Sequence, residues 1–268
     1  MMFSSAGTVY YYEEKGGNDE TVVLLHGFTS TSRTWSHTVA ALSNRYRTVV
    51  VDMPGHGKTE MKQPVTMQQF ADDLHALLLS IGVQKCHLIG YSMGGRAALY
   101  YATIYPESLN SLILESASPG IASETERIMR KERDDQLAKR ILDHPIESFV
   151  HEWEQLPLFE SQKQLPEGTR QAIRDERLGQ RQCGLAYSLQ GMGTGAQPPL
   201  WSDLGQLDMP ILLLTGELDT KFISIGEKMD QALLNSELRI FFGAGHAIHV
   251  EKCKEFDTVV MEFLTACT

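Results

Sequence analysis

Six short apolar runs recur along the chain, and most are followed by turn residues and then a helical pattern. They are TVVLLHG (21–27), RTVVVDMPG (47–55), CHLIGYS (86–92), SLILES (111–116), ILLLTGE (211–217) and LRIFFGAG (238–245). Several are apolar at consecutive positions and rich in β-branched residues. A strand with one wet face alternates, so a strand apolar on both faces is one covered on both, as inside a parallel sheet. Between the runs lie helical patterns. In MQQFADDLHALLLSIG (67–82), Phe70, Leu74, Leu77, Leu78 and Ile81 share a face and Gly82 supplies a stop. A second helix is expected from Gly95 to about Ile104 and a third around Phe256 to Leu264. Parallel neighbours need a crossover, usually a helix, so this alternation predicts an α/β fold with a mostly parallel central sheet and helices on both faces. The opening TVYYYEE predicts an antiparallel edge hairpin.

The alternation breaks between about Pro119 and Trp201. Helical patterns replace it: ETERIMRKERDDQLAKRIL (124–142), PIESFVHEWEQL (145–156) and TRQAIRDERLGQ (169–180), then the glycine-rich GMGTGAQPP. At 268 residues the chain has room for one large domain with an insertion. The expected division is a first core part at 1–118, a helical lid over the strand ends at 119–205, and a second core part at 206–268.

Composition removes several function classes. A net charge of −10 and the lack of any basic run argue against a nucleic-acid partner, because phosphate binding needs a basic face. No stretch of 18 apolar residues exists to span a membrane. The N-terminus has no positive region followed by an apolar core, so secretion by that route is not expected. Cys86, Cys183, Cys253 and Cys267 are scattered, with no C-x-x-C pair. Reduced thiols in a cytoplasmic protein are the expectation, not a zinc site or a disulfide framework.

Chemistry enters at Gly90-Tyr91-Ser92-Met93-Gly94, which fits the G-x-S-x-G elbow between a strand and a helix. A serine on so sharp a turn needs small neighbours, and its hydroxyl then stands beside a helix N-terminus that favours negative charge. A serine needs a base at neutral pH. In this architecture the chain order is serine, acid, histidine, at successive strand ends. Asp219 follows ILLLTGE and His246 follows LRIFFGAG, with Glu217 a rival acid and His249 a rival base. His56, in DMPGHGK, reads as structural and His26, in HGF, as shaping its loop. The same loop nominates the backbone N–H of Phe28, with that of Met93 after the serine, as an oxyanion hole.

These motifs, HGF, GYSMGGR, GELD, and GAGH with its downstream HVE, resemble the α/β-hydrolase superfamily. ESASPGI, EWEQLPLFESQ, IRDERLGQ and GTGAQPPLW extend the likeness to the menaquinone-pathway SHCHC synthases (2-succinyl-6-hydroxy-2,4-cyclohexadiene-1-carboxylate synthases), over nearly the whole chain. The resemblance implies an elimination: the triad removes a ring proton, charge spreads into a succinyl carbonyl, and pyruvate leaves. The substrate it implies, 2-succinyl-5-enolpyruvyl-6-hydroxy-3-cyclohexene-1-carboxylate (SEPHCHC), carries three carboxylates. No metal or organic cofactor is implied.

Arginine grips a carboxylate through a planar fork. Arg96 lies one helical turn after Ser92, on the same face, so it can reach into the pocket. Residues 120–185 hold eight of thirteen arginines but three of eleven lysines, a skew toward geometry-specific anion binding. Thirteen acids in the same segment offer those arginines a rival use, as exposed helix pairs. By resemblance the binding residues are Arg96, Arg130, Arg177, Tyr91 and Trp153. Arg127 and Arg133 compete with Arg130, Arg174 with Arg177, and Trp153 reads equally as a core residue of the lid. Two other readings share the motifs: a carboxylesterase or carbon–carbon bond hydrolase, with a more apolar pocket, and a binding protein that kept the fold without the chemistry.

Overall fold

The computed structural model describes residues 1–17 and 20–267. Two strands lead the chain, β1 (Met2–Ser5) and β2 (Thr8–Lys15). The six apolar runs supply β3 (Thr21–Leu25), β4 (Arg47–Val51), β5 (Cys86–Tyr91), β6 (Leu109–Glu115), β7 (Ile211–Gly216) and β8 (Ser236–Phe241). All eight join one sheet in the order β1-β2-β4-β3-β5-β6-β7-β8. The first two form the antiparallel edge, β2 pairing β4, and every neighbour pair from β4 to β8 is parallel.

Strand periodicity explains the two covering layers. In β3, Val23 and Leu25 face one apolar cluster while Val22 and Leu24 face another. The first cluster is filled by α2 (Met67–Ser80) and α3 (Met93–Ile104), through Phe70, Leu74, Ala97 and Tyr101. The second is filled by α1 (Ser36–Leu42) and α10 (Cys253–Ala266), through Leu42, Phe256, Val260 and Leu264. Consecutive apolar residues are needed because both faces are dry. The α2 helix starts where the Thr66 hydroxyl accepts the Gln69 N–H and gives way at Gly82, whose φ is +79°. Each predicted run overshoots its strand by one to four residues. The surplus residues, among them His26, Ser92 and Gly245, turn at the carboxyl ends of the strands, where the site forms.

Between β6 and β7 lie α4 (Glu124–Asp143), α5 (Ile146–Glu154), a 3-10 segment (Pro157–Gln164), α6 (Glu167–Leu178) and α7 (Gln182–Met192). They share a small core of Ala138, Ile141, Phe149, Val150, Leu185 and Leu189. The α4 helix is mostly polar, with ion pairs Arg130–Asp134 and Lys131–Asp135 at i,i+4 spacing. The α7 helix is a correction to the sequence reading, which ended the helical patterns at 180 and saw a glycine-rich stretch next. Its glycines are contact points, not breakers. A Cβ on Gly191 would lie 2.8 Å from the Val65 carbonyl carbon, and one on Gly184 2.9 Å from that of Gly55. Helical glycine costs about 1 kcal/mol against alanine, and close backbone approach offsets it here. The α8 helix (Thr220–Ala232) follows β7 and completes the layer through Met229.

Candidate active site

Ser92 sits between β5 and α3 with φ 51° and ψ −108°, a conformation that costs a non-glycine residue about 1–3 kcal/mol. The surrounding glycines make that turn possible. A Cβ on Gly90 would stand 2.6 Å from the Gly94 carbonyl carbon, one on Gly94 2.5 Å from the His26 oxygen, and one on Gly95 2.7 Å from the Ala117 Cβ. The turn is pinned on both sides: Ser92 N–H donates to the Glu115 carbonyl at 2.8 Å, and Arg96 N–H to the Ser92 carbonyl at 2.9 Å. Helix α3 therefore begins at Met93, two residues before the expected start, directly behind the serine.

The Ser92 hydroxyl lies 2.9 Å from His246 Nε2, and His246 Nδ1 lies 2.6 Å from Asp219 Oδ2. His246 and Asp219 are both buried. With the carboxylate as acceptor, Nδ1 carries the proton and Nε2 is left free to receive one from the hydroxyl. The rivals lie elsewhere. Glu217 accepts the Gly243 N–H at 2.9 Å, a loop contact. His249 faces Glu115, with Nδ1 at 2.8 Å from Oε2, and the Thr34 hydroxyl lies 2.8 Å from its Nε2. That pair is wholly buried behind Tyr91, whose ring lies tilted between His246 at 5.4 Å and His249 at 4.7 Å.

His26 shapes the neighbouring loop. Its Nε2 accepts the Met53 N–H at 2.9 Å, and Nδ1 lies 2.8 Å from the Gly27 carbonyl. Both bonds need the neutral ring protonated at Nδ1, and burial lowers the pKa to about 4. Glycine is needed next to it: a Cβ on Gly27 would lie 2.6 Å from the Tyr91 ring. Among the described residues, neither the Phe28 nor the Met93 amide donates to a protein acceptor. Both residues line the same cavity as Ser92 and His246.

That cavity has a volume of about 660 Å³, and Tyr91, Arg96, Arg130 and Trp153 also line it. The Arg96 guanidinium is already engaged. Its Nη1 donates to Gln197 Oε1 at 2.8 Å and its Nη2 to the Met192 carbonyl at 2.9 Å. Burial, and then the nearby Arg130, lower its pKa to about 10. Arg130 donates to Asp134 at 2.8 Å, while its competitors Arg127 and Arg133 are not among the lining residues. Arg177 is placed apart, in an adjoining cavity of about 260 Å³ with Glu154 and Gln162. It donates to Gln162 at 3.1 Å and lies over the Phe159 ring at 4.8 Å. Trp153 both lines the main cavity and joins the core of the insertion, with Phe28 at 5.3 Å and Phe149 at 5.5 Å.

Several lining residues escaped the sequence reading. Lys221 and Lys228 add cations from α8, and their i,i+7 spacing was a legible signal. Phe222 packs at a tilt against His246, with ring centroids 4.7 Å apart. Ser116 takes φ 48° and its buried hydroxyl has no protein partner among the described residues. Gln197 is fully buried in the turn after α7, where no periodicity marks it.

A hydrogen-bonded serine, histidine and acid at three strand ends, with an elbow serine between β5 and α3, define a serine-triad protein of α/β-hydrolase architecture. Residues 20–252 match the family model described as alpha/beta hydrolase fold. A Bacillus subtilis (strain 168) protein provisionally named 2-succinyl-6-hydroxy-2,4-cyclohexadiene-1-carboxylate synthase is 43% identical over 92% of this chain and 91% of its own. The Enterobacter sp. (strain 638) protein of that name is 32% identical over 86% of both chains. The solved structure of MenH from S. aureus superposes with a TM-score of 0.92 at 39% identity, over 96% of this chain and 98% of that one. The chain belongs to the α/β-hydrolase fold family and, within it, to the 2-succinyl-6-hydroxy-2,4-cyclohexadiene-1-carboxylate synthases.

Proposed function

We propose that the protein is the SHCHC synthase of menaquinone biosynthesis, a carbon–oxygen lyase that eliminates pyruvate from SEPHCHC. The observation that carries this reading is a single cavity joining the Ser92–His246 pair to the Arg96 and Arg130 side chains. An apolar ester pocket has no use for that much cationic character, whereas a tricarboxylate does.

In this reading Ser92, activated by His246, takes the ring proton. The breaking C–H bond supplies the electron pair for the new ring double bond, and the C–O bond to the enolpyruvyl group breaks. Enolpyruvate leaves, takes up the proton that Ser92 had passed to His246, and ketonises to pyruvate. Charge that develops on the succinyl carbonyl meets the Phe28 and Met93 amides, which act as donors without an acyl intermediate. Asp219 holds His246 in the Nδ1–H tautomer. Arg96, Arg130, Tyr91 and Trp153 contact the substrate, and Arg177 borders the site through Phe159. Residues 119–205 act as the lid, between core parts 1–118 and 206–268. We place the enzyme in the cytoplasm, in keeping with the free thiols of Cys86, Cys183, Cys253 and Cys267. No helix among the described residues is long and apolar enough to cross a membrane.

The test supplies enzymatically made SEPHCHC and follows pyruvate release together with the absorbance of the conjugated diene, beside a p-nitrophenyl ester screen. Pyruvate and diene forming together at matched rates support the reading. Fast ester turnover with none on the tricarboxylate overturns it.

A further inference from the structure

The HVE stretch downstream of GAGH plays no part in the chemistry above. Its glutamate, Glu251, ends the short helix α9 (Ile248–Glu251). The carboxylate accepts the Gly245 N–H on Oε2 at 2.6 Å and the Ala247 N–H on Oε1 at 3.4 Å. Those amides flank His246 on either side. Oε1 also accepts the Ser161 hydroxyl at 3.1 Å, from the 3-10 segment of the insertion. Gly245 and Ser161 lie so close that a Cβ at position 245 would collide with that hydroxyl. The same segment carries Phe159, whose ring meets His246 edge-on at 6.4 Å.

Burying a carboxylate is unfavourable unless donors replace its water. Here burial raises the Glu251 pKa, and the three donors act against that rise. We propose that Glu251 is a positioning residue: it fixes the backbone on both sides of His246 and ties that loop to the insertion through Ser161, so the imidazole stays in register with Ser92. The inference rests on His246 being the group that activates Ser92 in the proposed reaction.

The full-length variants Glu251→Gln, Glu251→Asp and Ser161→Ala test it against the parent. Three quantities are measured: kcat and KM for pyruvate release, the low-field proton resonance of His246 Nδ1–H, and the melting temperature. Glutamine has one acceptor oxygen and turns an NH2 toward an amide, so Glu251→Gln lowers kcat about ten- to a hundred-fold with KM changed less than about two-fold. The His246 resonance shifts or broadens, and Glu251→Asp recovers part of kcat. Ser161→Ala keeps both amide bonds, and lowers kcat about three-fold. A Glu251→Gln enzyme that melts early yet keeps the parental kcat and His246 resonance overturns the proposal. Should that variant not fold, unchanged kcat and resonance in Ser161→Ala overturn it instead. Full activity in His246→Ala would remove the base assignment itself, whereas the His246 resonance reports the clamp separately.

Discussion

Gln197 holds Arg96. The guanidinium donates to the Gln197 side-chain oxygen at 2.8 Å, and the Gln197 amide donates onward to the Ser118 carbonyl at 3.4 Å. Arg96 belongs to the helix behind the serine and Gln197 to the turn after α7, 101 positions away. The cation is therefore set in place by two layers at once and enters the cavity with its geometry fixed.

Arg96→Ala has two separable effects. Loss of a charge-assisted contact to substrate costs at least about 2 kcal/mol in transition-state stabilisation, read as kcat/KM. The Gln197 oxygen and Met192 carbonyl lose their donor, so the melting temperature falls as well. An Arg96→Ala enzyme with parental kcat/KM removes the case for a carboxylate-rich substrate.

Ser92→Ala and His246→Ala each lower kcat by about four orders of magnitude, and the double variant is hardly worse than either alone. The two groups work through one hydrogen bond, so removing either abolishes the unit. Pyruvate release under saturating SEPHCHC measures this, and additive losses would contradict the shared bond.

Gly94→Ala forces a Cβ to 2.5 Å from the His26 oxygen, in a core with no room to yield. The variant is destabilised by about 3 kcal/mol or does not fold. Gly168→Ala is the contrasting case. It lies in α6 with nothing within 4 Å of the added Cβ, and gains up to about 1 kcal/mol. Urea midpoints of the two variants check both signs.

Stability also depends on pH through His26. Its folded pKa, about 4, lies below the unfolded value of 6.5 because burial disfavours the cation. The unfolded chain binds more protons between these values. The contribution is complete above pH 6.5 and is lost as pH falls toward 4, by about 3 kcal/mol. Protonating Nε2 also breaks the bond from the Met53 amide. Urea denaturation across this window should show midpoints falling with acid, and a shallower fall in His26→Asn.

Trp153→Phe keeps the ring against Phe28 and Phe149 but removes the indole N–H, which is buried without a protein partner among the described residues. If the substrate supplies that acceptor, kcat/KM falls about ten-fold with little change in melting temperature. A loss of stability without a loss of kcat/KM would make Trp153 a core residue of the insertion.

The sheet was legible because its signal is local. Consecutive apolar residues in β3, β5 and β7 announce strands dry on both faces, and the glycines of GYSMGG announce a turn that only small residues permit. The end of α7 is hidden for the same reason in reverse: Gly191 opens a glycine-rich stretch and looks like a breaker until Val65 is seen against it. Asp219 and His246 were nominated by chain order, but Glu217 and His249 stood two and three positions away. Only the turn geometry separates them, sending Glu217 to Gly243 and His249 to Glu115.

By itself the sequence determined the α/β architecture and the elbow turn at Ser92, since each rests on periodicity or on residues within one turn of each other, while chain order only nominated Asp219 and His246. The tertiary structure decided what those groups touch. It set Gln197 on Arg96, Arg177 beside the cavity and not within it, and Glu251 across the amides flanking His246. Such contacts join segments far apart in the chain, or depend on how a loop closes. Side-chain geometry at that range follows from packing of the whole molecule, for which no local pattern of residues is a sufficient cause.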